Sequence, residues 1–238
     1  DLANFIMYDS GQPLHIFDYD KIEGKKINVR LAENNEKILC LNNDLKILSN
    51  KDIVIADSNG PIAIAGVIGG HDSQVVKETK TILIESAIFN EISIRRTSKE
   101  HNYSKEASKR FERGLDEDNI INVLDKFSSI LVDITEGEIS EDFIDLRLAN
   151  NKNMSKIKFD LNNCNKFLGI NLNTKIYKDI FLKLSIKNVF NNKVFECEIP
   201  SYRNDISRDV DLYEEVARVF GYNNIPSNDS FNISNQCF

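Results

Sequence analysis

The stretch GVIGGHDSQVVKETKTILIESA, residues 66–87, decides how the rest of the chain is read. An apolar run, IAIAGVI, reaches Gly69-Gly70 and stops. A polar excursion containing His71 follows, and a second apolar run, TILIE, delivers the single acid Glu85 to its end. Two strands that bracket a glycine turn, with one carboxylate at the end of the second, form the floor of a pocket. Glycine lets a ligand approach backbone where any side chain would collide. The same residues also fit an ordinary strand-loop-strand in which Glu85 is a solvated strand end. Both readings stay open on these residues alone.

Upstream, Asp57-Ser58-Asn59-Gly60-Pro61 is a turn signal that makes DIVIA and PIAIAGVI a hairpin. Before it, KINVRLA, KILCLN and LKILS alternate with period two and read as a meander of short strands over 26–56. Leu14 to Asp18 alternates like a strand entering a core, and residues 1–10 read as an amphipathic segment with Leu2, Phe5, Ile6 and Met7 around one face. Downstream, Phe89 to Arg113 carries helical spacing and many charges. Asn119 to Glu136 is an amphipathic helix with Gly137 near its end.

A polar, Asn-rich joint at 149–155 sets the expected boundary between a domain over 1–150 and a second over 151–228, with 229–238 as a tail. In the second, KIKFDL and FECEIP read as strands. Leu161 to Phe167, Thr174 to Leu184 (capped by Thr174) and Asp209 to Phe220 read as helices. The fold class expected is α+β: a mixed-sheet domain followed by a small winged-helix-like α+β domain.

The totals restrict function. The 238 residues carry a formal net charge of -7, which argues against gripping nucleic acid by bulk electrostatics. One local exception is the basic run Arg95, Arg96, Lys99, Lys105, Lys109, Arg110 and Arg113. The four cysteines (Cys40, Cys164, Cys197, Cys237) lie far apart without a CxxC pair, so reduced cytoplasmic thiols are expected rather than disulfides or a zinc site. No apolar run has the length of a membrane span. The chain opens without Met, which reads as a piece of a longer protein.

Three motifs remain: GQPLHIFDYDKIEG (11–24), GVIGGHDSQV with LIESAIFN, SIRRTS and EASKRFERG (66–114), and IPSYRNDISRDVDLYEEVARVFGYNNIP (199–226). In this order they resemble the beta subunit of bacterial phenylalanyl-tRNA synthetase over almost the whole chain, the first two its B3/B4-type editing domain and the third its B5-type module. The resemblance implies hydrolysis of tRNA(Phe) mischarged with tyrosine, as part of an ATP-dependent synthetase whose synthetic site lies on an alpha subunit in a heterotetramer. It implies roles residue by residue. Glu85 matches the acceptor of the tyrosine hydroxyl, and Gly69 a position where bulk would block entry. His15 matches a residue near the ester, and Ala107 one that leaves room for substrate. His15 alone also fits a core histidine. Lys105 stands where many members carry a small hydroxylated residue. It reads either as swinging out to the RNA 3′ end or as pairing with Glu85 and closing the pocket.

In the third motif, Asp205, Asp211, Glu214 and Glu215 match positions assigned to Mg2+ shared with the alpha subunit. The residues themselves fit equally well as acids favoured at a helix start. Neither a membrane nor DNA is expected as a partner. The alternative to editing is a structural, tRNA-binding part of the same synthetase in which Lys105 has ended hydrolysis. His71 and His101 receive no role.

Overall fold

The computed structural model describes residues 2–140, 143–146 and 156–226. The chain divides into two compact units, Asp1–Asp145 and Leu146–Phe238. The joint at 149–155, the tail at 229–238 and Cys237 lie outside the described residues. Each unit is α+β, and every strand pairing among the described residues is antiparallel, where a mixed sheet was expected in the first.

In the first unit, α1 (Leu2–Ser10) leads into β1 (Leu14–Asp18), and the meander supplies β2 (Asn28–Leu31), β3 (Lys37–Leu39), β4 (Leu45–Ile47) and β5 (Ile53–Ala56). Then come β6 (Pro61–Ile64), β7 (Ile68–Gly69) and β8 (Ile82–Ser86), followed by α2 (Glu91–Glu100), α3 (Glu106–Phe111) and α4 (Ile120–Thr135). The central sheet has the order β2-β5-β6-β7. The β5–β6 hairpin forms where the turn signal placed it, closed by the Asp57 carboxylate accepting from the N–H groups of Asn59 (2.8 Å) and Gly60 (3.1 Å). The β3–β4 hairpin joins this sheet through Leu41 N–H to Gly69 O (3.0 Å) and His71 N–H to Leu39 O (2.8 Å).

β1 and β8 form a separate two-stranded sheet. Because side chains alternate along a strand, Leu14, Ile16 and Ile84 pack with Ile6, Val123 and Phe127 of α1 and α4. Phe17 and Leu83, from the opposite face, join the main core with Val54, Ile64, Phe89, Ile94 and Phe111. The odd-numbered face of this pair therefore looks inward over the central sheet. α1 buries Ile6 and Met7 but leaves Phe5 55% exposed, so its apolar face is narrower than the periodicity suggested. The left-handed residue that ends α4 is Glu136 (φ 54°), not Gly137.

The second unit runs β9 (Lys156–Asp160), α5 (Leu161–Leu168), α6 (Thr174–Lys183), β10 (Lys187–Asn191), β11 (Val194–Glu198) and α7 (Asp209–Phe220). Its sheet, β10-β11-β9, packs on three helices around Phe159, whose ring lies 5.1–5.4 Å from those of Tyr177, Phe181 and Tyr213. β10 is a strand that the sequence does not announce, because KNVFN lacks period-two alternation and is rich in Asn, which strands disfavour. The cap of α6 is Asn173, whose Oδ1 accepts from Ile176 N–H at 3.1 Å, rather than Thr174. Among the described residues no helix is long and apolar enough to cross a membrane.

Candidate active site

The β1–β8 register brings His15 directly opposite Glu85. Both project from the inward face, one step beyond the Phe17–Leu83 rung. Buried Gln12 ties the two strands at their end, its Nε2 donating to Ala87 O at 2.8 Å and to Pro13 O at 3.1 Å. The His15 ring stands edge-on to Phe17, with centroids 4.5 Å apart.

Gly69 sits beneath that ring. A Cβ there would collide with His15 Cε1, would lie 2.6 Å from His15 Nε2, and would lie 3.0 Å from Leu41 Cδ1. Three residues singled out from two motifs, His15 from the first and Gly69 and Glu85 from the second, are thus brought together, and the bulk that Gly69 excludes is bulk that would displace His15.

The electrostatics follow from desolvation. Glu85 Oε2 is sealed from solvent and has no hydrogen-bond partner. Burial without compensation disfavours the carboxylate and pushes the Glu85 pKa up to about 7. The same cause acts on His15 with the opposite sign, because its charged form is the protonated one, and lowers its pKa to about 4. Near neutral pH the site holds a neutral imidazole and a carboxyl poised between its two states. It offers an unused acceptor to a hydroxyl and a ring nitrogen able to accept from water.

Ala107 lies on α3, packed against the main core. Lys105 precedes that helix and is exposed. It forms no ion pair with Glu85, so the pairing that would close the pocket is not made. Lys105, Glu106 and Ala107, together with Met7, Tyr8, Pro13 and Leu14, line an open cleft of about 320 Å³ to which His15, Gly69 and Glu85 do not contribute. Pro13, Gln12 and Leu41 were not singled out from the sequence. GQP carries the first two without announcing them, and Leu41 reaches the site only through the pairing of its backbone with Gly69.

His101 has a structural place: buried, with Nε2 3.1 Å from Oδ2 of fully buried Asp52. His71 pairs with neighbouring Asp72 at 3.2 Å in its loop.

The four carboxylates expected to hold Mg2+ do not converge. Arg203 grips Asp205 in two bonds of 2.9 and 2.6 Å and donates to Glu215 Oε1 at 2.8 Å. Arg218 takes the other Glu215 oxygen. Asp211 accepts from the N–H groups of Ser207 (2.9 Å) and Arg208 (2.8 Å), capping α7, and these backbone bonds pull its pKa down to about 2. Glu214 is exposed. Among the described residues no group of three or more His, Cys, Asp or Glu side chains is placed to hold a metal. In this arrangement the cation between Asp205 and Glu215 is a guanidinium, and the donor set does not fit Mg2+.

Comparison with known proteins adds the following. The family model of the B3/4 domain matches residues 1–136, and that of the tRNA synthetase B5 domain matches residues 157–222. The chain is 40% identical over 227 residues to a protein of Geobacter metallireducens and 39% identical over 229 residues to one of Protochlamydia amoebophila, each named phenylalanine–tRNA ligase beta subunit. These alignments take in 95% and 96% of this chain and 28% of each relative. A solved N-terminal fragment of the phenylalanyl-tRNA synthetase beta subunit from Pyrococcus horikoshii aligns at 19% identity and a TM-score of 0.44, over 92% of this chain and 62% of that one.

Proposed function

The chain belongs to the B3/4 domain family, and on that premise we propose that it is the proofreading part of a phenylalanine–tRNA ligase beta subunit, hydrolysing the ester of tRNA(Phe) mischarged with tyrosine. The observation that carries this reading is the sealed, unpartnered Oε2 of Glu85 facing His15 across one strand rung. An unsatisfied buried acceptor costs about 1–3 kcal/mol. A tyrosine hydroxyl donating to it recovers that cost, and a phenylalanine ring leaves it standing. A site built to bond a hydroxyl rejects the analogue lacking it far more strongly than an apolar pocket rejects the hydroxyl, which is why a second site is useful beside the synthetic one.

In this reading the phenol donates to Glu85, Gly69 leaves room for the His15 ring, and Ala107 leaves room for the amino acid. His15, neutral at pH 7, accepts a hydrogen bond from the attacking water and orients it toward the ester carbonyl. Water adds to that carbonyl, the C–O bond to the terminal ribose breaks, and tyrosine and tRNA with a free hydroxyl leave. Lys105 is exposed and forms no pair with Glu85, which favours editing over the alternative of a purely structural part. The complete protein would charge tRNA(Phe) with phenylalanine at the expense of ATP, with an alpha subunit as partner, in the cytoplasm.

The test is deacylation of Tyr-tRNA(Phe) by the complete synthetase. Glu85→Ala is expected to lower the rate at least tenfold while charging with phenylalanine persists. Equal hydrolysis by both proteins would remove Glu85 from the site.

A further inference from the structure

β1 and β8 make a sheet of their own, and the candidate site sits on its second rung, His15 opposite Glu85. Two strands without a third neighbour are weakly held, and a slip by one residue would turn both side chains to the other face. This pair has a further reason to part at the Glu85 end. Glu85 Oε2 is sealed without a partner, and opening the last rungs would return it to water.

One side chain closes that end. Leu14 pairs with Ser86, and the residue before Leu14 is Pro13, which has no N–H to donate. The Gln12 amide supplies a donor instead. Its Nε2 reaches Ala87 O at 2.8 Å, 75 residues away in sequence, and Pro13 O at 3.1 Å. Gln12 itself is 3% exposed. The backbone that carries it is fixed as well. Gly11, at φ 81°, donates its N–H to Met7 O (3.0 Å). Gln12 N–H donates to the Ser10 hydroxyl (3.2 Å), which donates to Ile6 O (2.7 Å). Ile6 packs with Ile84 of β8 and with Val123 and Phe127 of α4. The opposite end of the pair is held separately by Asp18, whose carboxylate accepts from the Thr79 hydroxyl at 2.6 Å and whose N–H donates to Ser73 O at 2.9 Å.

We propose that Gln12 is a positioning residue: its amide, bridging Ala87 O and Pro13 O, locks the open end of the β1–β8 pair so that His15 and Glu85 stay opposed and Glu85 stays dry. Its effect on the reaction runs through that rung. The inference rests on the editing reading for what the rung does, but not for the clamp. Without the donor the last rungs open and water bonds to Glu85. The acceptor that tells tyrosine from phenylalanine is then satisfied before the substrate arrives. Losing the clamp therefore costs selectivity as well as rate.

The test compares Gln12→Met with the wild type in the complete synthetase. Methionine is unbranched like glutamine and has no donor. Deacylation of Tyr-tRNA(Phe) and of Phe-tRNA(Phe) is measured in parallel. The tyrosyl rate is expected to fall about tenfold, and the ratio of kcat/KM for the tyrosyl over the phenylalanyl substrate about fivefold. A merely structural role would lower the folded fraction, scale both rates alike and leave the ratio unchanged. That result would overturn the proposal, as would wild-type rates. Hydrogen exchange read by mass spectrometry on the same proteins follows the clamp without the reaction. Peptides covering 13–19 and 82–88 are expected to exchange faster in Q12M, and those covering 53–64 as in the wild type. Unchanged exchange over 82–88 would also overturn the proposal. A wild-type enzyme that hydrolyses neither substrate would overturn the editing reading, and faster exchange over 82–88 in Q12M would leave the clamp standing.

Discussion

Glu85 and His15 face each other across one rung and are shifted in opposite directions by the same loss of solvent. Each shift is a dependence of stability on pH. Glu85, raised to about 7 from an ordinary value of 4.5, contributes stability that is complete below pH 4.5 and is lost as pH rises through 7. His15, lowered to about 4 from 6.5, contributes stability that is complete above pH 6.5 and is lost as pH falls through 4. Each amounts to about 3 kcal/mol, and between pH 4.5 and 6.5 the two slopes oppose and nearly cancel. Single substitutions are expected to expose them in urea-unfolding series: His15→Gln leaves stability falling with pH in that window, and Glu85→Gln leaves it rising. A flat profile in both variants would show that neither group is desolvated. Glu85 was legible in the sequence as a lone acid at the end of an apolar run. That its opposite number is His15 was not, because register between distant strands is set by which faces are buried.

Among the elements, α2 depends on an acid that carries no motif. Asp52, in the turn before β5, is fully buried and accepts from the Thr97 hydroxyl (2.7 Å), from Ser49 N–H (2.8 Å) and from the His101 ring at 3.1 Å. Desolvation pushes its pKa up, and the hydrogen bonds from Thr97, Ser49 and His101 outweigh that, so it sits below the ordinary carboxylate range. Asp52→Ala strands four donors on three residues, the Ser49 hydroxyl included, and is expected to cost about 3 kcal/mol, read as a lower urea midpoint at unchanged slope. A loss under 1 kcal/mol would mean that water replaces the carboxylate without penalty. His101 is thereby a fastening of α2 to the sheet, a role that its polar sequence context hid. Helix ends shifted by one residue for a related reason. Asn173 and Thr174, like Glu136 and Gly137, are both competent chemically, and backbone geometry chooses between them.

At the scale of the whole molecule, the two units pose different questions. The first buries an unsatisfied acceptor, whereas the second pairs its buried carboxylate, Glu215, with two arginines. Glu215 is 8% exposed and held between Arg203 and Arg218, so Arg203→Leu is expected to destabilise the second unit by about 2 kcal/mol, less than for a fully isolated buried charge because Arg218 remains. Millimolar Mg2+ is expected neither to raise the wild-type unfolding temperature nor to restore the variant. A Mg2+-dependent rise in the wild type would restore the carboxylates as ligands.

Local pattern was enough for the α+β class, the β5–β6 hairpin, most helices and the three motifs that mark the family, because periodicity, turn chemistry and motif spacing are properties of neighbouring residues. What folding alone decided is which of those residues meet. It set His15 over Gly69 and against Glu85, left Lys105 unpaired with Glu85, and gave Asp205 and Glu215 an arginine. Those outcomes depend on strand register and on competition among partners far apart in the chain, where a difference of a few kcal/mol in burial selects one arrangement.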